Sequence, residues 1–184
     1  MPLEYQFPTP FYTNTPDSEA HFYELQEEIA NALVKVPATT SPWYSDNMKT
    51  SFKYGDNDNI TNHTPKLAAW ILKQAHEFTK TDFTITESWY NVFGPGSYME
   101  YHCHPMQDLS GVYYHQTTGK DGLLVFKSDS TGLRNSIFNT SEIGYEPAPG
   151  KLILFPAFME HAVMRNTTTT DRISVTFNLR RVYG

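Results

Sequence analysis

Two periods of apolar residues divide the chain. Phe22, Leu25, Ile29, Leu33 and Val36 recur at helical spacing, which predicts a helix with one buried stripe. Thr15-Pro16-Asp17-Ser18-Glu19 supplies its start: a capping hydroxyl, proline at the first position and acids in the first turn. Pro37 ends it. Thr64-Pro65 opens a second helix by the same logic, with Leu67, Trp70, Ile71, Ala75 and Phe78 as its apolar stripe. From Phe83 the pattern turns β-rich and partly alternating. Strands are predicted over Phe83–Phe93, Tyr98–His104, Leu109–Gln116, Leu123–Lys127, Lys151–Phe155, Ala162–Arg165 and Arg172–Leu179. Turn signals separate them, among them Gly94-Pro95-Gly96 and Pro147-Ala148-Pro149-Gly150.

Many short strands after two helices predict a mainly β, α+β domain in which helices pack on an antiparallel sandwich or jelly roll. The whole chain, 1–184, reads as one domain, with a helical segment over 1–82 and a β core over 83–184. Residues up to Thr15 read as an extended surface run. Residues 38–63 read as a long irregular segment, with Ser41-Pro42-Trp43-Tyr44 as its conspicuous part and Gly55-Asp56-Asn57-Asp58-Asn59 as a turn. That turn lacks the glycine and glutamate positions of a calcium loop. An irregular stretch of this length is often functional, which places it near an active-site mouth.

Composition narrows the function. A chain of 184 residues can bury a real core. A net charge of -6 and a pI near 5.6 make a nucleic-acid surface unlikely as the default. The single cysteine, Cys103, excludes an intrachain disulfide. The start shows no basic and apolar leader pattern, and no apolar run reaches membrane-spanning length. A soluble, cytoplasmic protein is the expectation, and the four Asn-X-Ser/Thr matches are then coincidental.

The candidate chemistry lies in Tyr101-His102-Cys103-His104-Pro105 and in Glu160-His161-Ala162. If Tyr98–His104 is a strand, alternation puts His102 and His104 on one face and Cys103 on the other, packed away from it. His161 follows the buried-looking strand at Leu152–Phe155. Neutral imidazole is the commonest metal ligand, and two near ligands with one distant one would pin two strands together. Arg172, Ser174 and Thr176 alternate with Ile173, Val175 and Phe177. The first set is expected inside the barrel and the second outside. A buried arginine needs a paired charge, and no acidic side chain is an obvious mate, since Asp171 alternates away. His21, His63, His76 and His115 read as bystanders.

These residues carry a resemblance. Trp89-Tyr90-Asn91, His102-Cys103-His104-Pro105, Leu109-Ser110-Gly111-Val112-Tyr113-Tyr114, Gly150 through Pro156 leading to His161, and Arg172 through Asn178 resemble the 2-oxoglutarate- and Fe(II)-dependent dioxygenases. The resemblance covers roughly residues 85–180. It implies a double-stranded β-helix, Fe(II) and 2-oxoglutarate as cofactors, and O2 as cosubstrate. A C–H bond would be oxidised with release of succinate and CO2. The substrate would be a protein side chain or a small metabolite. Carried over, His102 and His161 match the two histidine ligands of the facial triad. His104 stands where that triad has a carboxylate. Three histidines, His102, His104 and His161, are the favoured ligand set; Asp108 as the carboxylate is the alternative. Arg172 matches the residue that forks onto the distal carboxylate of 2-oxoglutarate. Ser174, two residues on along the same strand face, can add a hydroxyl to that carboxylate; Tyr114 aligns with a tyrosine that contacts it in prolyl-hydroxylase-like members, and Asn91 and Tyr98 are further candidates for the pocket wall. Two other readings stay open: a cupin-like three-histidine dioxygenase without 2-oxoglutarate, and a non-enzymatic β-sandwich for binding.

Overall fold

The computed structural model describes residues 9–40, 47–53, 58–128 and 141–183. Ser41 to Tyr44, the Gly55-Asp56-Asn57 part of the expected turn, the first residues of the chain and the Asn139-Thr140 pair lie outside the described residues.

The first helix, α1, spans Glu19–Lys35 and begins three residues later than Thr15-Pro16 suggests. Ser18 is the cap: its hydroxyl accepts the backbone N–H of His21 at 3.2 Å, the third helical residue and one of the donors a helix start leaves unpaired. The second helix, α2, spans Pro65–Thr79, with Pro65 in its first turn and Lys80 in the left-handed conformation (φ 59°) at its end. Glu28 of α1 accepts the backbone N–H groups of Lys66 and Leu67, each at 3.0 Å. A carboxylate from one helix thus satisfies the positive end of the other. Leu25, Ile29, Ala32, Leu67, Trp70, Ile71 and Ala75 are the buried faces of the two helices.

The strands form two antiparallel sheets. In chain order they are β1 Tyr12–Asn14, β2 Thr39–Thr40, β3 Met48–Thr50, β4 Phe83–Phe93, β5 Met99–His102, β6 Leu109–Gln116, β7 Leu124–Lys127, β8 Glu142–Tyr145, β9 Leu152–Pro156, β10 His161–Val163 and β11 Arg172–Arg181. The larger sheet runs β1-β9-β6-β11-β4-β3-β2 and the smaller β5-β10-β7-β8. One core lies between the helices and the larger sheet, where Tyr90, Tyr113, Leu152, Leu154, Val175, Phe177 and Leu179 meet the helix stripes. A second contains Val112, Tyr114, Ile153 and Phe155 of the larger sheet with Leu124 and Phe126 of the smaller. The neighbouring β6, β9 and β11 therefore alternate between two buried environments. Each fully buried Leu, Ile or Phe contributes about 1.5–3 kcal/mol, so this alternation fixes the register firmly.

Several elements differ from the expectation. The segment before residue 83 is helical but also gives β1, β2 and β3 to the larger sheet. These strands have two or three residues each, too few for a period of two to show. Strand β8 was not foreseen, because Glu142, Ile143 and Gly144 are all exposed and carry no alternation. Strand β5 stops at His102 rather than His104.

Gly111 sits where β6 crosses the inner side of the helix-facing core. A Cβ there would lie 2.5–2.7 Å from the Phe177 ring and Leu154 Cδ2. Both neighbours are themselves fully buried. Gly111→Ala is expected to destabilise the fold by about 1–3 kcal/mol, the range for overpacking a tight core. A urea unfolding curve with an unchanged midpoint would refute this.

Candidate active site

The inner faces of the two sheets enclose a cavity of about 710 Å3. From β4 it is lined by Glu87, Trp89, Asn91 and Phe93, and from β11 by Arg172, Ser174, Thr176 and Asn178. These are alternate residues, as a period of two requires. Met48, Thr50 and Phe52 add a wall, so part of the segment 38–63 does border the cavity.

His102, His104 and His161 face one another in it, with one ligand atom from each within 4.8 Å of the others. The topology explains the meeting. Strands β5 and β10 pair antiparallel, and His161 stands directly opposite His102. Their rings lie 4.3 Å apart, centre to centre. His104 lies past the end of β5, where its backbone N–H donates to Ala157 O at 2.9 Å. The turn then continues through Met106, which takes a positive φ of 70°. The His104 ring stands 5.2 Å from each of the other two.

Hydrogen bonds set the tautomers. His102 Nδ1 lies 2.8 Å from Glu100 O, and His161 Nδ1 lies 2.9 Å from Met159 O. A carbonyl can only accept, so each Nδ1 carries the proton and each Nε2 keeps its lone pair, as second-shell bonds do for metal-binding histidines. His104 Nε2 is buried with no hydrogen-bond partner among the described residues. Burial lowers the pKa of all three, that of His104 to about 4 and that of His161 well below its ordinary value, with His102 adding to the effect in both. All three imidazoles are neutral at pH 7 and ready to donate to a metal without first losing a proton. Two nitrogens bound at about 2.1 Å to one ion can lie up to about 4.2 Å apart. The cluster therefore fits a single ion with a small inward adjustment.

Asp108 stays out of this cluster. It is exposed, and its Oδ2 accepts the backbone N–H of Arg181 at 2.7 Å. Cys103 is exposed, which corrects the packed position expected for it; the strand that would have turned it inward has already ended. Tyr98 does not line the cavity and instead stacks under Arg165, with 4.7 Å from guanidinium carbon to ring centre. His21, His63 and His76 lie at the surface beside Asp17, Asp58 and Asp82 respectively. His115 also stands apart from the cavity.

Arg172 is 1 % exposed. One terminal nitrogen donates to Asp121 O at 3.1 Å and Gly122 O at 2.8 Å, and the guanidinium lies over the Phe93 ring at 4.3 Å. Its Nε is buried without a partner among the described residues. The carboxylate of Asp121, fully buried, contributes favourable charge nearby. No acidic mate for Arg172 is legible near it in the chain; Asp121 stands in a turn distant in sequence, and nothing in its local pattern marks it. That carboxylate is already engaged by the Thr117 and Thr118 hydroxyls and the Thr118 backbone N–H. Tyr114 and Ser174 line the same cavity, while Tyr113 faces the helices against Trp70. Burial pushes the Tyr114 phenol up to about 12, so it remains a neutral donor.

A jelly roll with three inward imidazoles and a buried, incompletely paired arginine in one cavity has the fold of a non-haem iron oxygenase and a donor cluster that fits an iron ion. The comparisons make the assignment specific. Residues 87–178 match the family described as "Putative 2OG-Fe(II) oxygenase", and the chain belongs to that family. It is thereby a 2-oxoglutarate- and Fe(II)-dependent oxygenase, which sets aside the cupin-like and non-enzymatic readings. A comparison with curated protein sequences finds no match. Among solved structures, a 2OG-Fe(II) oxygenase family oxidoreductase from Burkholderia pseudomallei superposes with a TM-score of 0.70 at 15% identity, covering 94% of this chain and 85% of that one. A prolyl-4-hydroxylase from Pseudomonas putida gives 0.65 at 16% identity, covering 95% and 94%. HygX from Streptomyces hygroscopicus, solved with nickel and 2-oxoglutarate bound, gives 0.67 at 11% identity, covering 95% and 84%. At these identities the likeness is one of fold.

The ligand set can be tested by metal titration. His104→Ala should lose Fe(II) affinity by at least about tenfold, since one of three donors goes. Asp108→Ala should keep full affinity and lose about 1 kcal/mol of stability, the worth of one ordinary hydrogen bond at this exposed position. The reverse pattern of affinities would assign Asp108 as ligand.

Proposed function

We propose that His102, His104 and His161 hold the Fe(II), and that Arg172 receives the distal carboxylate of 2-oxoglutarate with Ser174 and Tyr114 beside it. The observation that carries this is a pair of unpartnered buried nitrogens in one cavity, His104 Nε2 and Arg172 Nε. The first has a lone pair or a proton to place, and neighbouring imidazoles supply two further donors for an ion. The second belongs to a buried cation with donor capacity left over, and an anionic oxygen satisfies it.

When bound, the iron supplies oxygen activation coupled to decarboxylation of 2-oxoglutarate. The chain's own part is positioning and exclusion of water. The carbonyls of Glu100 and Met159 orient His102 and His161. The carbonyls of Asp121 and Gly122 and the ring of Phe93 hold the guanidinium in place. Val112, Leu124, Phe155 and Val163 give the cavity an apolar lining, in which charge-assisted hydrogen bonds gain strength.

The substrate enters the same cavity, whose volume is in the range that takes one small-molecule ligand. It is a protein side chain or a small metabolite. A Trichoplax adhaerens prolyl hydroxylase of the same fold was solved with a hypoxia inducible factor peptide, which supports the first. No described helix is long and apolar enough to cross a membrane, and a cytoplasmic setting agrees with the free thiol of Cys103.

Purified protein given Fe(II), O2 and 2-oxoglutarate should form succinate. Arg172→Lys should weaken 2-oxoglutarate binding by about 2 kcal/mol, because a point charge cannot replace the planar donor pair. Iron affinity should hardly change. Equal 2-oxoglutarate affinities in calorimetric titrations of the two iron-loaded proteins would remove Arg172 from this role.

A further inference from the structure

The cavity has a second polar end, remote from Arg172. Strand β4 runs antiparallel to β11, pairing Phe93 with Arg172, Asn91 with Ser174, Trp89 with Thr176 and Glu87 with Asn178. Six strand residues separate the two ends, about 20 Å at 3.3 Å per residue. At the far end the carboxylate of Glu87 is held in place. Ser110 Oγ donates to Asn178 Oδ1 at 2.7 Å, and Asn178 Nδ2 donates to Glu87 Oε2 at 2.9 Å. Ser110 and Asn178 are buried, so the relay fixes the direction of the Asn178 amide. Glu87 itself is half-buried and lines the cavity. Among the described residues no lysine or arginine forms an ion pair with it.

Two neighbours on the same face complete the feature. Trp89, two residues along, is 7 % exposed and meets Phe52 edge-on at 5.0 Å and the His104 ring at 5.8 Å. Asn91, two further, is 4 % exposed and lines the cavity. Its Nδ2 donates to Thr176 Oγ1 at 3.2 Å, and its Oδ1 is buried without a partner among the described residues. The face therefore presents an anionic acceptor, an aromatic surface and a free neutral acceptor in succession, one of them against the proposed metal cluster. An organic cation satisfies the first two: it pairs with the carboxylate and lies against the indole. Asn91 stands about 13 Å along the strand from Glu87, opposite Ser174 at the end given to 2-oxoglutarate. An anion would meet Glu87 with repulsion, and an uncharged alkyl group would leave the half-buried carboxylate without a counter-charge.

We propose that the substrate of this oxygenase carries a protonated amine, bound between Glu87 and Trp89, which places a neighbouring C–H bond at the histidine cluster. This rests on the reading of the same cavity as an oxygenase site. Glu87 lies about 7 Å along the strand from Trp89, and Trp89 touches the His104 ring, so the oxidised carbon lies within a few bonds of the nitrogen. The ammonium belongs either to a lysine-like side chain in a peptide or to the α-amino group of a free amino acid.

Binding to nickel-loaded protein with 2-oxoglutarate present separates these. N-acetyl-lysine amide offers only a side-chain ammonium, norleucine amide offers only an α-ammonium, and N-acetyl-norleucine amide offers neither. One of the first two should bind roughly 10- to 100-fold more tightly than the third, the worth of a charge-assisted hydrogen bond. Whichever it is identifies the source. Glu87→Gln keeps an acceptor for Asn178 and should abolish the preference, while 2-oxoglutarate affinity stays unchanged. Absence of any preference in the wild type, or a preference that survives Glu87→Gln, overturns the inference. A separate titration in which 2-oxoglutarate fails to bind the wild type would overturn the role of Arg172 instead and leave the cation preference to be judged by itself.

Discussion

Strand β11 answers two opposed demands, and the rest of the molecule is arranged around it. It lies between β6 and β4 in the larger sheet. On one face Val175, Phe177 and Leu179 join the core beneath the helices. On the other, Arg172, Ser174, Thr176 and Asn178 line the cavity. A slip of one residue would put a guanidinium under the helices and a phenylalanine among polar groups. Burial of a charge without partners costs several kcal/mol, as does loss of the aromatic anchor. The register is thus held from both sides, and the polar row keeps a fixed spacing along the cavity.

That spacing separates electrostatic functions that would otherwise interfere. Arg172 stands at one end, Glu87 at the other, and the neutral imidazoles contribute donors without adding charge. Arg172 is not left bare: two carbonyls, an aromatic face and the nearby Asp121 hold it. These contacts keep the guanidinium oriented while leaving Nε unpaired. Asp121 forms no direct ion pair with it among the described residues; its carboxylate instead accepts from threonine donors. The arrangement keeps capacity for a ligand anion instead of consuming it internally.

The smaller sheet contributes the histidine cluster by a different route. His102 and His161 meet because they are opposite one another in an antiparallel pair, where directly facing side chains come closest. His104 arrives from a turn, beyond the strand. Two of the proposed ligands stand on a rigid ladder and one on a turn, which would hold the site in register on one side and leave it adjustable on the other.

Much of this was legible from residue order. The helix stripes, the span Phe83–Phe93, the span Leu109–Gln116 and the two faces of β11 follow from apolar period alone, because long elements repeat their pattern often enough to be read. The histidines and Arg172 were legible as a set because their chemistry is uncommon on inward faces. Glu87 was within reach, since 87, 89, 91 and 93 share a face, but an acid at a strand position reads as solvent-facing until the opposite sheet is known. The short strands β1, β2 and β3, the exposed β8 and the place where β5 stops were not legible, because two to four residues carry no usable period. Asp121 beside Arg172, Ser110 and Asn178 behind Glu87, and the exposure of Cys103 depend on contacts between residues far apart in sequence. Local order determined which side chains share a strand face; only the pairing of strands and the closing of two sheets decided which of those faces enclose a common space.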